Sequence, residues 1–399
     1  MKPLIRSSFC LRRIVVLFAA LFVTVVSAHA QTLTVLHTFT SRPDGLTPIG
    51  GVIMDGFGRL LGTTAQGGTG TQGTVFMIDT NGHETVLHSF VSRPDGLDPE
   101  AGLVIDEFNN LYGTTELGGS QGKGTIFRVT PGGLMEMVLH SFTCCPPLGK
   151  NPVSGLIFDA SGNLYGTAQN GGDQAQDGTV FKLSPPGVLN VLTVLHVFNA
   201  RAGDGRNPRG SLLFDHLGNL YGTTYQGGTH DQGTVFEIDN AGNYTVLHSF
   251  GSVFLEDGKW PRAGLIMDHS GNLLGTTSQG GGFNGGNVFM IDPSGNYTVL
   301  HNFGAPGDGQ WPYGGLAIDA NGNIYGTTVA GGAAQQGIVF KIDNAGNYSV
   351  LHSFQLNDGV SPAAGVIVGP DGNLYGTCSQ GGPGNGMGTG GTVFKLSLH

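Results

Sequence analysis

The chain has 399 residues, of which 71 are glycine, 12% are charged and 39% are hydrophobic, and its formal net charge is −10. Recurring apolar runs exclude the disorder that so much glycine could otherwise signal, because they offer enough surface for a core. The negative charge argues against a general nucleic-acid binder, which needs a basic face.

At the N-terminus, Lys2, Arg6, Arg12 and Arg13 precede an apolar run from Ile14 to Val26, and Ala28-His29-Ala30 follows. The run is too short to span a bilayer. A basic start, a short apolar stretch and a small-x-small site read as a secretory signal peptide cleaved after Ala30. Residues 31–399 are then expected as a secreted or periplasmic protein, without a membrane span.

From there the chain repeats itself. Gly162-Asn163-Leu164-Tyr165-Gly166-Thr167 has counterparts centred on Gly62, Gly113, Gly222, Gly275, Gly326 and Gly376, and successive central glycines are 51, 53, 56, 53, 51 and 50 residues apart. Each unit carries four short apolar runs. In the third unit they begin at Gly155, Asn163, Gly178 and Thr193, with Ala160-Ser161-Gly162 as a tight turn. Aromatic and β-branched residues between glycine-rich turns are strand signatures. Four strands in about 50 residues is the pattern of a propeller blade. The mature chain begins with a fourth strand, Thr34 to Phe39, and stops after a third, Gly391 to Leu396. Residues 33–39 are therefore expected to pair with 391–397 and complete the last blade, 363–397. The expectation is an all-β, seven-bladed β-propeller of four-stranded blades, closed by its own N-terminal strand and monomeric. Closure hides two edges that would otherwise invite aggregation.

The unit Gly-Leu-Ile-x-Asp, Gly-Asn-Leu-Tyr-Gly-Thr-Thr, Gly-Gly, Gly-Thr-Val-Phe and Val-Leu-His-Ser-Phe resembles the bacterial GloVer tandem repeat of choice-of-anchor proteins, over nearly all of residues 31–399. The resemblance implies an exported or surface-displayed protein. Such proteins often carry a variable C-terminal sorting segment, whereas this chain stops at His399 directly after a blade strand. The resemblance carries no catalytic residues across.

Seven histidines share one repeat position: His37, His88, His140, His196, His248, His301 and His352. They lie on the outermost strand, roughly 14 Å from the innermost at about 4.7 Å per strand step, and cannot converge on one ion. Each is expected to be hydrogen-bonded within its own blade. Asp55, Asp106, Asp159, Asp215, Asp268 and Asp319 precede tight turns and are expected to hold backbone amides there, with Asp371 serving the last blade. A second set precedes glycine at Asp44, Asp95, Asp204, Asp257, Asp308 and Asp358. Turn formation is favoured over calcium there, since no loop has the dense acidic alternation of a calcium site. Gly118-Gly119-Ser120-Gln121-Gly122 and Gly68-Thr69-Gly70-Thr71-Gln72-Gly73 match generic catalytic patterns but lack the helix that each pattern needs. Cys144, Cys145 and Cys378 show no zinc spacing and are expected as unbridged thiols or a strained Cys144–Cys145 pair. No cofactor, no metal and no catalytic residue is assigned.

Repeated residues maintain the ring, so function must use what differs between blades. The loop before each first strand reads x-Pro-x-x-Gly. Trp260 and Trp311 precede the proline in blades 5 and 6, while Ile49, Glu100, Val153, Arg209, Arg262, Tyr313 and Ala363 follow it in turn. Trp260, Trp311, Arg209, Arg262, Tyr313 and Lys259, with Tyr225 from the glycine-rich loops of the same face, form one candidate ligand-binding sector. Such residues can stack sugar rings and hold acidic groups, anchor a protein, or wedge between blades. The leading reading is an exported binding or scaffold propeller, its partner an extracellular polysaccharide or a surface protein. The second is a polysaccharide lyase or hydrolase, for which Asp257, Asp308, His230 and Glu256 are in reach. The third is a structural envelope or matrix component.

Overall fold

The computed structural model describes residues 31–398 apart from 41, 92, 131–135, 144–146, 186–189, 253–256 and 385–389. The leader assigned to residues 1–30, Cys144, Cys145 and Glu256 lie outside the described residues. Those described form seven four-stranded antiparallel sheets arranged in a ring. Blade 4 is representative: Leu213–Phe214, Leu220–Thr224, Thr234–Ile238 and Tyr244–Ser249 run in order from the innermost strand outward. The last blade combines Ile367–Val368, Leu374–Cys378 and Thr392–Ser397 with the N-terminal strand Thr32–Thr38. Thr32 pairs with Ser397 and Thr38 with Thr392, which is the expected closure.

The repeated motif follows from the packing. A Cβ on Gly222 would lie 2.5 Å from the Phe236 ring of the adjacent strand, and the central glycines of the other six blades face the same clash. Phe236 in turn meets Phe198 from the end of the preceding blade, edge to face at 5.4 Å. Every junction repeats this phenylalanine pair, with ring centroids 5.0–5.4 Å apart. Both rings are fully buried at all seven junctions. Edge-to-face contact is the favourable geometry for such rings. The first threonine of the Gly-Thr-Thr step adds a hydrogen bond to the following blade. Thr223 donates to the Ala263 carbonyl at 2.8 Å, and Thr377 donates to Gly50 across the closing joint at 3.2 Å.

The repeated polar residues are structural. Asp159 holds the Ser161 and Asn163 amides at 2.9 Å and accepts from the Tyr165 hydroxyl at 3.0 Å, as expected of a turn aspartate. The outer histidines differ from expectation in their partner. His88 pairs with Asp95 at 3.1 Å, and His37, His196, His248, His301 and His352 pair likewise with Asp44, Asp204, Asp257, Asp308 and Asp358. Each aspartate lies on the loop to the next blade, so the two repeated sets are one device. A bulge at the leucine before each histidine shifts the register there and re-aims the ring. His140 has no such aspartate, and its buried Nε2 has no hydrogen-bond partner among the described residues. Cys378 is a free, fully buried thiol whose pKa burial pushes up, which makes it unreactive.

Candidate functional site

The x-Pro-x-x-Gly loops are held by an unexpected backbone. The residue before proline is left-handed in every blade, with φ between +52° and +61° at Thr47, Asp98, Asn151, Asn207, Trp260, Trp311 and Ser361. A residue before proline ordinarily favours extended backbone. Here two hydrogen bonds impose the turn. Trp260 donates its amide to the Gln232 carbonyl of blade 4 at 2.8 Å and accepts from the Ser278 amide of its own blade at 3.2 Å. The other six positions make the equivalent pair of bonds. The following proline packs on a positive-φ glycine of the preceding blade, as Pro261 does on Gly233. This clasp aims the residue after proline at the axis of the ring.

All seven residues after proline meet there. Ile49, Glu100, Val153, Arg209, Arg262, Tyr313 and Ala363 line a mouth of ≈ 430 Å³, with Val329, Ser361 and Ser379. The same seven residues and the small residues that lead from them into each first strand also line a central space of ≈ 300 Å³. The basic side is layered with aromatic rings. The Arg262 guanidinium lies 4.1 Å from the centre of the Tyr313 ring and 5.1 Å from that of Tyr225. Arg209 lies 5.0 Å from the centre of the Tyr225 ring. The Nε atoms of both arginines are buried without a hydrogen-bond partner among the described residues. Burial, then the charge of Arg262, lowers the Arg209 pKa.

Blade 2 brings the opposite charge to the same repeat positions. Glu100 stands where blades 4 and 5 carry Arg209 and Arg262, and Glu116 stands where blade 4 carries Tyr225. Burial raises the pKa of Glu100, with Glu116 adding to it and the two arginines opposing. Burial and then Asp98 raise that of Glu116, and burial alone raises Asp98. The mouth is thus polarised, with guanidiniums and rings against partly desolvated carboxyls.

The structure brings Arg209, Arg262, Tyr313 and Tyr225 together. Trp260 joins them indirectly, its ring 6.0 Å from that of Tyr225. Trp311 is 39% exposed and Lys259 is half-buried in a two-residue ribbon with Gln279, and neither lines the mouth. Asp257 and Asp308 are bound to His248 and His301, and His230 is exposed on its loop. No group of three or more His, Cys, Asp or Glu that could hold a metal ion occurs among the described residues. Sequence reasoning sorted the variable residues by sector and so passed over Glu100 and Glu116. The missing signal was a charge reversal at one repeat position between blade 2 and blades 4 and 5.

A family model described as the Gloeobacter/Verrucomicrobia repeat matches residues 22–213, 135–322 and 305–399. No curated protein matches the sequence. Among solved structures, a streptogramin B lyase is similar with a TM-score of 0.62 and 14% identity, over 92% of this chain and 98% of that one. Virginiamycin B lyase from Staphylococcus aureus gives 0.60 and 14%, over 92% and 100%. A puromycin hydrolase gives 0.55 and 14%, over 85% of this chain and 51% of that one. At these identities the likeness is one of fold. No helix among the described residues is long and apolar enough to cross a membrane.

Proposed function

Because the chain belongs to the Gloeobacter/Verrucomicrobia repeat family, and its repeats build a complete propeller, we propose that it is an exported binding protein that takes a glycan at the mouth of its loop face. The observation that carries this reading is the convergence of Arg209, Arg262 and Tyr313 on one cavity, backed by Tyr225. Aromatic faces suit sugar rings, and guanidiniums supply rigid, directional donors. Trp260 beside Tyr225 provides a reporter. Titration of the protein with polysaccharide fragments gives a saturable change in tryptophan emission, and Arg262→Gln removes it. Emission that ignores every glycan tested removes the reading.

Glu100 and Glu116 favour a second reading, in which the bound saccharide is also cleaved. Carboxyls with raised pKa beside a ligand are suited to acid–base work. Incubation with the bound polysaccharide then releases reducing or unsaturated ends, and Glu100→Gln abolishes the release. Intact polymer after prolonged incubation leaves binding alone.

A further inference from the structure

The two guanidiniums at the mouth have unfilled donor capacity. Among the described residues, the buried Nε–H groups of Arg209 and Arg262 have no acceptor, and neither arginine has an ion pair with Glu100 or Glu116 within 4.0 Å. Buried donors are ordinarily matched, because leaving one unmade costs its desolvation. A neutral sugar offers hydroxyls, which fit one such donor; two adjacent cations require an anion.

We propose that the mouth selects an acidic saccharide, whose anionic group lies between Arg209 and Arg262 while a sugar ring covers Tyr313, and that the carboxyls of blade 2 compete with that group for the guanidiniums. This deepens the glycan reading above and rests on it. Of the charged and titratable groups around the anion, Arg209, Arg262, Glu100 and Tyr313 line the mouth, Tyr225 lies against both guanidiniums, and Glu116 and Asp98 act on Glu100 by charge. The carboxyls sit across the mouth at equivalent repeat positions, so they oppose an incoming anion while ionised. Because burial favours their protonated form, acidification removes that opposition sooner than it would for exposed carboxyls, while the arginines keep their charge. The site therefore takes its ligand more tightly as pH falls and releases it as pH rises. Uronate and sulfate-ester sugars share this chemistry.

The test is calorimetric titration of the protein with three oligosaccharides of equal length: a galacturonate oligomer, a sulfated galactose oligomer and a neutral galactose oligomer. At least one acidic oligomer binds about tenfold tighter than the neutral one, the scale of a charge-assisted hydrogen bond, and the arm that binds identifies the source. Arg209→Gln and Arg262→Gln each remove that preference. Glu100→Gln tightens acidic binding near pH 7.5 and flattens its pH dependence, a gain that misfolding cannot produce. Equal binding of all three oligomers, unaltered in the arginine variants, overturns the acidic selection and leaves the glycan reading standing. Absence of binding in every arm overturns both.

Discussion

Glu84 stands where blades 4, 5 and 6 carry Tyr244, Tyr297 and Tyr348. Those tyrosines stack on the histidine of the preceding blade, with centroids 3.6–4.2 Å apart, and Tyr244 and Tyr348 donate to Asp204 and Asp308. Glu84 reaches the same neighbourhood, beside Asp44, with a buried oxygen that has no partner among the described residues. Burial, then the Asp44 charge, pushes its pKa up to about 7. It can donate as the tyrosines do only while protonated. The folded carboxyl thus holds its proton more tightly than the unfolded one, whose usual value is 4.5. Its contribution is complete below that value and is lost as pH rises to about 7. Thermal melts between about pH 4 and pH 8 should show this decline, and Glu84→Gln should reduce it; an unaltered profile in the variant counts against the assignment. The histidine and aspartate repeats were legible separately, but their pairing was not. The clue was a correlated exception, since the loop after His140 lacks both the aspartate and the pair.

Between elements, stability is concentrated in the phenylalanine joints. Phe250 is fully buried and meets Phe289 of the next blade at 5.1 Å. Phe250→Ala should cost about 3–5 kcal/mol, the range for emptying a large buried site, read as a lower denaturant midpoint. A change below about 1 kcal/mol would mean the joint can collapse around the vacancy. Long strands were legible because apolar runs and glycine turns recur together. The short ribbons of the loop face, such as Gly258–Lys259 with Gln279–Gly280, were not, since two residues carry no period. The left-handed residues before proline ran against local preference. Trp260 and Trp311 adopt that turn because bonds to two blades enforce it, which no local pattern records.

At the scale of the molecule, the closing strand converts an array into a ring. Removing residues 31–39 would expose the Thr392–Ser397 edge and uncover Phe76, which packs on Phe39 at 5.0 Å. The truncated protein is expected to associate in a concentration-dependent way by size-exclusion chromatography. A stable truncated monomer would show that closure is dispensable. The ring was legible because a repeat count and two complementary ends define it. The mouth was only partly so: Arg209, Arg262 and Tyr313 stood out by type, but the clasp that turns them to one axis is tertiary.

The same closure makes the fold a test of its own completeness. Thr377 reaches Gly50 across 327 residues, and Thr32–Thr38 finds its partner only in Thr392–Ser397. A chain interrupted anywhere before Thr392 leaves its first strand without a mate, however well its middle blades have formed. Proteases would therefore meet an unpaired first strand on every partial product, so synthesis errors late in the chain are marked at its beginning.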